Sequence, residues 1–224
     1  MKHAYLYLSV FNICFGMLLY FILPHHRETL GGEDMIIENL TAAFFLFAAL
    51  SSIYYLLIGN IKKSRKLLGI IIVFGLLAFL DELSFGERIF DLSMPTLDNK
   101  KVDGLHDLLK LSYVGMARFL KTLPKLVLAS GAILFFSLVA YFIIRFRENI
   151  KKIIQHIFQS MPWFFIFASG VVLLLAMLMD MHIIYFESIM YIEELFELNA
   201  GMALLFSSYS AYKLDVTPVP VMAR

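Results

Sequence analysis

The stretch FLDELSFGERIF, residues 79–90, passes from apolar residues directly into Asp81, Glu82, Glu87 and Arg88, with no turn residue between oil and charge. Carboxylates beside a guanidinium offer two chemistries. A carboxylate takes or gives a proton as a general base or acid, and an arginine grips a carboxylate or phosphate through its bidentate fork. Asp81, Ser84 and Arg88 follow an i, i+3, i+7 spacing and are expected on one helical face, with Glu82 and Gly86 on the neighbouring stripe. The run YIEELFELNAG, 191–201, repeats the arrangement: Glu194, Glu197 and Gly201 share a face, and Glu193 stands one turn before Glu197. A third run, GGEDMIIENL at 31–40, sets Asp34 one turn from Glu38. With His106, which opens a later amphipathic segment, the candidate catalytic residues are Asp81, Glu82, Arg88, His106, Glu194 and Glu197.

A metal reading of the same carboxylates uses Glu38, Glu82, Glu194 and Glu197. Bundles that hold two metals pair glutamates with Glu-x-x-His, and that pairing is missing here, as are HExxH and clustered cysteines. The donors are all oxygen, so the cofactor this set would suit is a hard divalent cation such as Mg, Ca or Mn. Neither a Ser-His-Asp arrangement nor a glycine-rich phosphate loop is recognisable. Each feature also has a bland reading. Asp81, Glu82 and Arg88 would serve as a structural ion pair, Glu193 to Glu197 as a solvated rim, and His106 or His182 as polar residues facing headgroups.

The elements that must carry these residues are those of a membrane protein. Of 224 residues, 60% are hydrophobic and 17% are charged, far from the average soluble domain. The net charge of +1, with no long basic block, excludes the clustered Lys/Arg that nucleic-acid binding needs, so the expected partners are membrane lipids. The single cysteine, Cys14, has no intramolecular partner, so no disulfide holds the fold.

About 20 apolar residues cross a hydrocarbon core of about 30 Å. Six segments qualify, approximately 4–23, 36–58, 67–90, 124–145, 162–184 and 188–212, the third, fifth and sixth only with their charges against protein. The first is longer than a usual signal-peptide core and lacks a small-x-small cleavage site before Pro24, so it is read as an uncleaved helix. Leu105, Leu108, Leu109, Met116, Phe119, Leu120 and Leu123 recur at helical spacing, which predicts an external interfacial helix over about 103–123 that lids the spans. The expected fold is all-α: one domain, 1–224, a polytopic helix bundle of about six spans with that interfacial helix.

Basic residues at 2, 62–66, 145–152 and 213 fall on one side of such a bundle, which the positive-inside rule makes cytoplasmic with both termini. The expected location is a bacterial inner membrane. Acidic residues sort to the other side, with only Glu148 and Asp215 as exceptions. Acidic residues contribute little to insertion, so this sorting asks for another explanation. Ionisable groups inside a bilayer are expensive, about 2.5–3.5 kcal/mol at mid-depth on insertion scales, and mark functional sites by default. Glu82 lies 15 residues beyond Leu67, about 22 Å along a helix, in the outer third of the hydrocarbon.

The run Asp81-Glu82-x-Ser84-x-Gly86-x-Arg88, followed by Pro95, Asn99, Asp103 and Leu105-His106-Asp107, resembles a pattern of uncharacterised multi-pass bacterial and fungal membrane proteins. Their version reads approximately EE-x-S-W-G-Q-R, then a proline, an asparagine and Leu-His-Asn. Asp81 stands for the first Glu, Phe85 for the Trp, Glu87 for the Gln and Asp107 for the Asn. The likeness covers about 30 residues, with weaker likeness at Glu33–Glu38 and Glu194–Glu197; it implies a shared polar constellation and no particular reaction. Two functions of different class follow. One is an outer-leaflet active site on a lipid or lipid-linked substrate, with a carboxylate or His106 as base and Arg88 on a phosphate. The other is a cation- or proton-binding or transport site, or carboxylates that only glue a structural bundle. A transporter would show inverted repeats or polar groups on both sides of the midplane, and the cytoplasmic half here reads as apolar.

Overall fold

A computed structural model describes residues 1–31, 35–59, 61–84, 96–97, 100–101, 105–181 and 189–216, with the backbone alone at 28, 31, 96–97, 100–101, 105–110 and 189–190. The described residues are all-α apart from one short antiparallel pairing, Thr96 with Lys101 and Leu97 with Lys100. Helix α1 spans Lys2–Ile22 and stops before Pro24, which lies in a single 3-10 turn, Pro24–His26. Short α2 follows, Arg27–Gly31, then α3, Ile36–Ile58, and α4, Arg65–Glu82. After the strand pair come α5, Leu105–Thr122; α6, Lys125–Arg145; α7, Arg147–Gln159; α8, Met161–Asp180; and α9, Ile189–Val216.

Among the described residues, α1, α3, α6 and α8 are long and apolar enough to cross a membrane. The sequence predicts six such spans. The two it adds are α4, whose eighteen residues include Arg65, Lys66, Asp81 and Glu82, and α9, whose first turns carry Glu193, Glu194 and Glu197. Of the expected third span, 67–90, α4 covers 67–82, and 85–90 lie outside the described residues. Helix α4 ends at Glu82, Leu83 caps it, and Ser84 turns left-handed at φ 49°, a conformation that costs an L-residue about 1–2 kcal/mol. The single face expected to join Asp81, Ser84 and Arg88 is therefore not continued beyond Glu82.

Helix α9 is the axis of the bundle and packs against α1, α3, α4 and α8. Its C-terminal half turns mostly small residues inward: Ala200, Ala203, Ser207, Ser208, Ser210 and Ala211 are all buried. Helices in lipid gain nothing by hiding oil from oil, so they associate through close packing and hydroxyl bonds instead. Ser52 Oγ donates to Ser208 Oγ at 2.8 Å, Ser169 Oγ to the Ala200 carbonyl at 2.9 Å, and Ser207 Oγ to the Pro162 carbonyl at 2.9 Å. Tyr5 Oη donates to the Asn199 carbonyl at 3.3 Å, and Asn12 Nδ2 to Asn199 Oδ1 at 3.4 Å. Phe45, Leu68, Ile71 and Leu204 fill the space between α3, α4 and α9, while α6 has no buried residue.

Two glycines set the approach of α3 to its neighbours. A Cβ on Gly75 would lie 2.9 Å from the Phe45 carbonyl oxygen and 3.3 Å from the Ala49 Cβ, and one on Gly201 would lie 3.0 Å from the Phe44 Cβ. At the opposite end of the bundle, Asp215 in the last turn of α9 clamps the start of α4. Its carboxylate accepts the backbone N–H of Lys62 at 3.2 Å, of Lys63 at 2.9 Å and of Ser64 at 2.9 Å, together with the Ser64 hydroxyl.

The region 146–160, expected as a loop, is helix α7. Its Ile150, Ile153, Ile154, Ile157 and Phe158 lie at the spacing of one apolar stripe, with Lys151, Lys152, Gln155 and His156 elsewhere. Helix α5 covers 105–122 of the expected interfacial segment, and its Tyr113, Met116, Phe119 and Leu120 are exposed.

Candidate functional site

The contacts that build the bundle also sort its charges. Thr41 and Phe44 of α3 meet Gly201, and Ser52 meets Ser208, so α3 and α9 run parallel. Gly75 meets Phe45 and Ala49 while Ser64 sits by the far end of α9, so α4 runs antiparallel to both. Pro162 meets Ser207 and Ser169 meets Ala200, so α8 is antiparallel to α9 as well. Helix α1 is also antiparallel to α9, with Tyr5 and Asn12 at Asn199 and Gly16 against Leu195. One end of the bundle thus gathers the start of α3, the end of α4, the end of α8 and the start of α9. Those are the positions of Glu38, of Asp81 and Glu82, of Asp180, and of Glu193, Glu194 and Glu197.

The register brings several of these to one level. Gly75 sits between Phe45 and Ala49, so seven residues on along antiparallel helices Glu82 falls between Glu38 and Ala42. From the Thr41–Gly201 contact, three residues back along the parallel pair sets Glu38 beside Leu198, the neighbour of Glu197. The electrostatics agree: the Glu82 carboxyl interacts with those of Glu197, Glu194, Glu38 and Asp81, and protein atoms surround it. One oxygen each of Glu194 and Asp180 is shielded from solvent. As whole residues, however, Glu38, Asp81, Glu82, Asp180, Glu193, Glu194 and Glu197 are half-buried, and none joins the buried class. The expectation of buried carboxylates is corrected to that extent. Helix ends at the rim of a bundle leave the stem of a glutamate open on one side even where its head turns inward.

Arg88 and the rest of 85–95 lie outside the described residues, as does His182. His106 falls in the first turn of α5, where only the backbone is described. The structure therefore brings Glu38, Asp81, Glu82, Glu194 and Glu197 into one electrostatic group and leaves the cationic and imidazole members unplaced. Among the described residues, no group of three or more His, Cys, Asp or Glu side chains has an arrangement that could hold a metal ion, so Glu38, Glu82, Glu194 and Glu197 do not form the expected metal cage. Electrostatic reach between carboxylates is a looser condition than ligation, which demands convergence of the oxygens to about 2.0–2.6 Å of one ion.

Sequence reasoning passed over the Asp215 clamp and the hydroxyl seam of α9. Asp215 did carry a signal, being one of two acids on the basic side. The seam carried one in the run FSSYSAY, 206–212, too rich in hydroxyls for a lipid-facing stretch. Comparison with known proteins adds no identity: no family matches the chain, and no curated protein or solved structure is similar to it.

Proposed function

We propose that the acidic end of this bundle is the working site of a multi-pass membrane protein that acts on a lipid or lipid-linked substrate in the leaflet where it opens. The observation that carries the reading is the half-buried Glu82 carboxyl, in electrostatic reach of carboxylates from α3 and α9 as well as its own neighbour Asp81. Such a group is suited to take a proton from a substrate hydroxyl, with Glu194 and Glu197 receiving or relaying it. Arg88, six residues beyond Glu82, supplies the cation for a headgroup phosphate, and His106 a second proton carrier. In this reading α4 and α9 cross the bilayer with the four apolar helices, α5 lies along the outer surface, and the basic end faces the cytoplasm. The strained Ser84 supports the same place, because residues held in sparsely populated backbone regions cluster at functional sites.

The test is reconstitution of wild-type protein and of Glu82→Gln into vesicles of mixed bacterial lipid extract, followed by mass spectrometry of the lipids. Wild type should convert one lipid class, and Glu82→Gln should slow that conversion by roughly the 10²–10⁴-fold that a general base contributes. Unchanged lipid profiles with wild type, or equal rates for the two proteins, would overturn the proposal.

A further inference from the structure

From the basic end of the bundle up to the level of Glu197, a cavity of about 270 Å³ lies between α1, α8 and α9, with Leu6, Ile13, Phe158, Phe167, Val171 and Phe196 among its walls. It is a crevice rather than an enclosed void, and its lining is almost wholly apolar. Its side walls are open to the bilayer: Leu6, Phe158, Phe167 and Val171 are all exposed residues. A cation stands at its mouth. Lys2 Nζ donates to the Phe158 carbonyl and lies 4.7 Å from the centre of the Phe164 ring, and both aromatic residues line the cavity.

Helix α7 extends that charge. One residue, Phe146, joins it to the apolar helix α6, and one residue, Ser160, joins it to α8. With both neighbours ending at the membrane surface, a 13-residue helix with an isoleucine stripe has one stable position, in the plane of the interface with that stripe down. Arg145, Arg147, Lys151 and Lys152 then stand at the level of lipid phosphates, and all four are exposed. Phe158, the last apolar residue of the stripe, is at once a wall of the cavity, so the basic helix and the apolar crevice form one surface.

We infer that this surface seats an anionic phospholipid of the leaflet at the basic end, with one acyl chain in the α1–α8 crevice and the phosphate between Lys2 and α7. The partner follows from complementarity. The crevice takes methylenes, the mouth takes negative charge, and a phospholipid with a net negative headgroup carries both at the right separation. The headgroup sits at the opposite end from the Glu82 group and the crevice is lined by apolar side chains, so the inference uses none of the carboxylates of the proposed activity.

Reconstitution into phosphatidylcholine vesicles doped with spin-labelled phosphatidylglycerol or spin-labelled phosphatidylcholine tests it by the motionally restricted lipid fraction. Wild type should restrict phosphatidylglycerol roughly five-fold over phosphatidylcholine, the factor that one basic residue is worth at an anionic surface. The exposed variant Lys2→Gln combined with Lys151→Gln and Lys152→Gln should bring that ratio to about one. Leu6→Trp, which fills the crevice from an exposed position, should lower the restricted fraction of both lipids. Equal restriction of the two lipids by wild type, or an unchanged restricted fraction in Leu6→Trp, would overturn the inference.

Discussion

Asp215 shows what a single side chain does when sequence sorting leaves it on the wrong side. Partial burial on its own would raise its carboxyl, but the Ser64 hydroxyl and the backbone N–H groups of Lys63, Ser64 and Lys62 outweigh it and hold the group at about 2, below its ordinary 3.8. Those N–H groups precede and open α4, where Ser64 makes no cap bond of its own, so an acid from α9 caps the helix in its place. The folded value lies below the unfolded one, so the stabilisation is complete above about pH 4 and is lost as pH falls through about 2. Asp215→Asn should lower stability near neutral pH by about 1 kcal/mol, the size of a lost cap. Thermal unfolding in detergent across pH 2–7 checks this: the gap between wild type and variant should close as pH approaches 2, and a gap that stays constant would mean that the clamp does not hold α4.

At the scale of elements, close approach rather than oil holds α3, α4 and α9 together, and two glycines of the same helix separate the effects. A Cβ on Gly75 meets the Phe45 carbonyl oxygen, which cannot move without bending α3, whereas nothing lies within 4 Å of a Cβ on Gly69. Gly75→Ala should therefore destabilise by about 1–3 kcal/mol through overpacking, and Gly69→Ala should be neutral or stabilise by up to about 1 kcal/mol through helix propensity. Melting of the two variants side by side decides it; equal effects would mean that α4 does not pack on α3 at this register. Most of these helices are legible in the sequence because twenty apolar residues have few other uses, and the predicted 36–58 coincides with α3. The end of α4 was not legible. Nothing in LDELS marks a stop by residue type, since the residue after the cap Leu83 is a serine held left-handed rather than a glycine or proline. Helix α7 was hidden for the opposite reason: its five basic and acidic residues dominate a reading by charge, while its isoleucine stripe appears only when spacing is counted.

Glutamates from three helices gather at one end of the bundle, while Lys2, the basic residues at 62–66, those of α7 and Lys213 stand at the other. That polarity is legible from loop charges alone, because an alternating chain of spans puts every second connection on the same side. Which carboxylates share a level was less legible: it depends on helix register, set by Gly75 and Gly201, and on the parallel run of α3 beside α9, which adjacency in sequence does not reveal. The central claim is that Glu82 of α4 and Glu197 of α9 belong to one electrostatic group. A double-mutant cycle on the unfolding free energy of Glu82→Gln, Glu197→Gln and the pair in detergent tests it most directly. The account predicts that the two substitutions couple by more than about 0.5 kcal/mol, as residues in contact or in one network do; effects that add to within about 0.3–0.5 kcal/mol, as for distant independent sites, would contradict it.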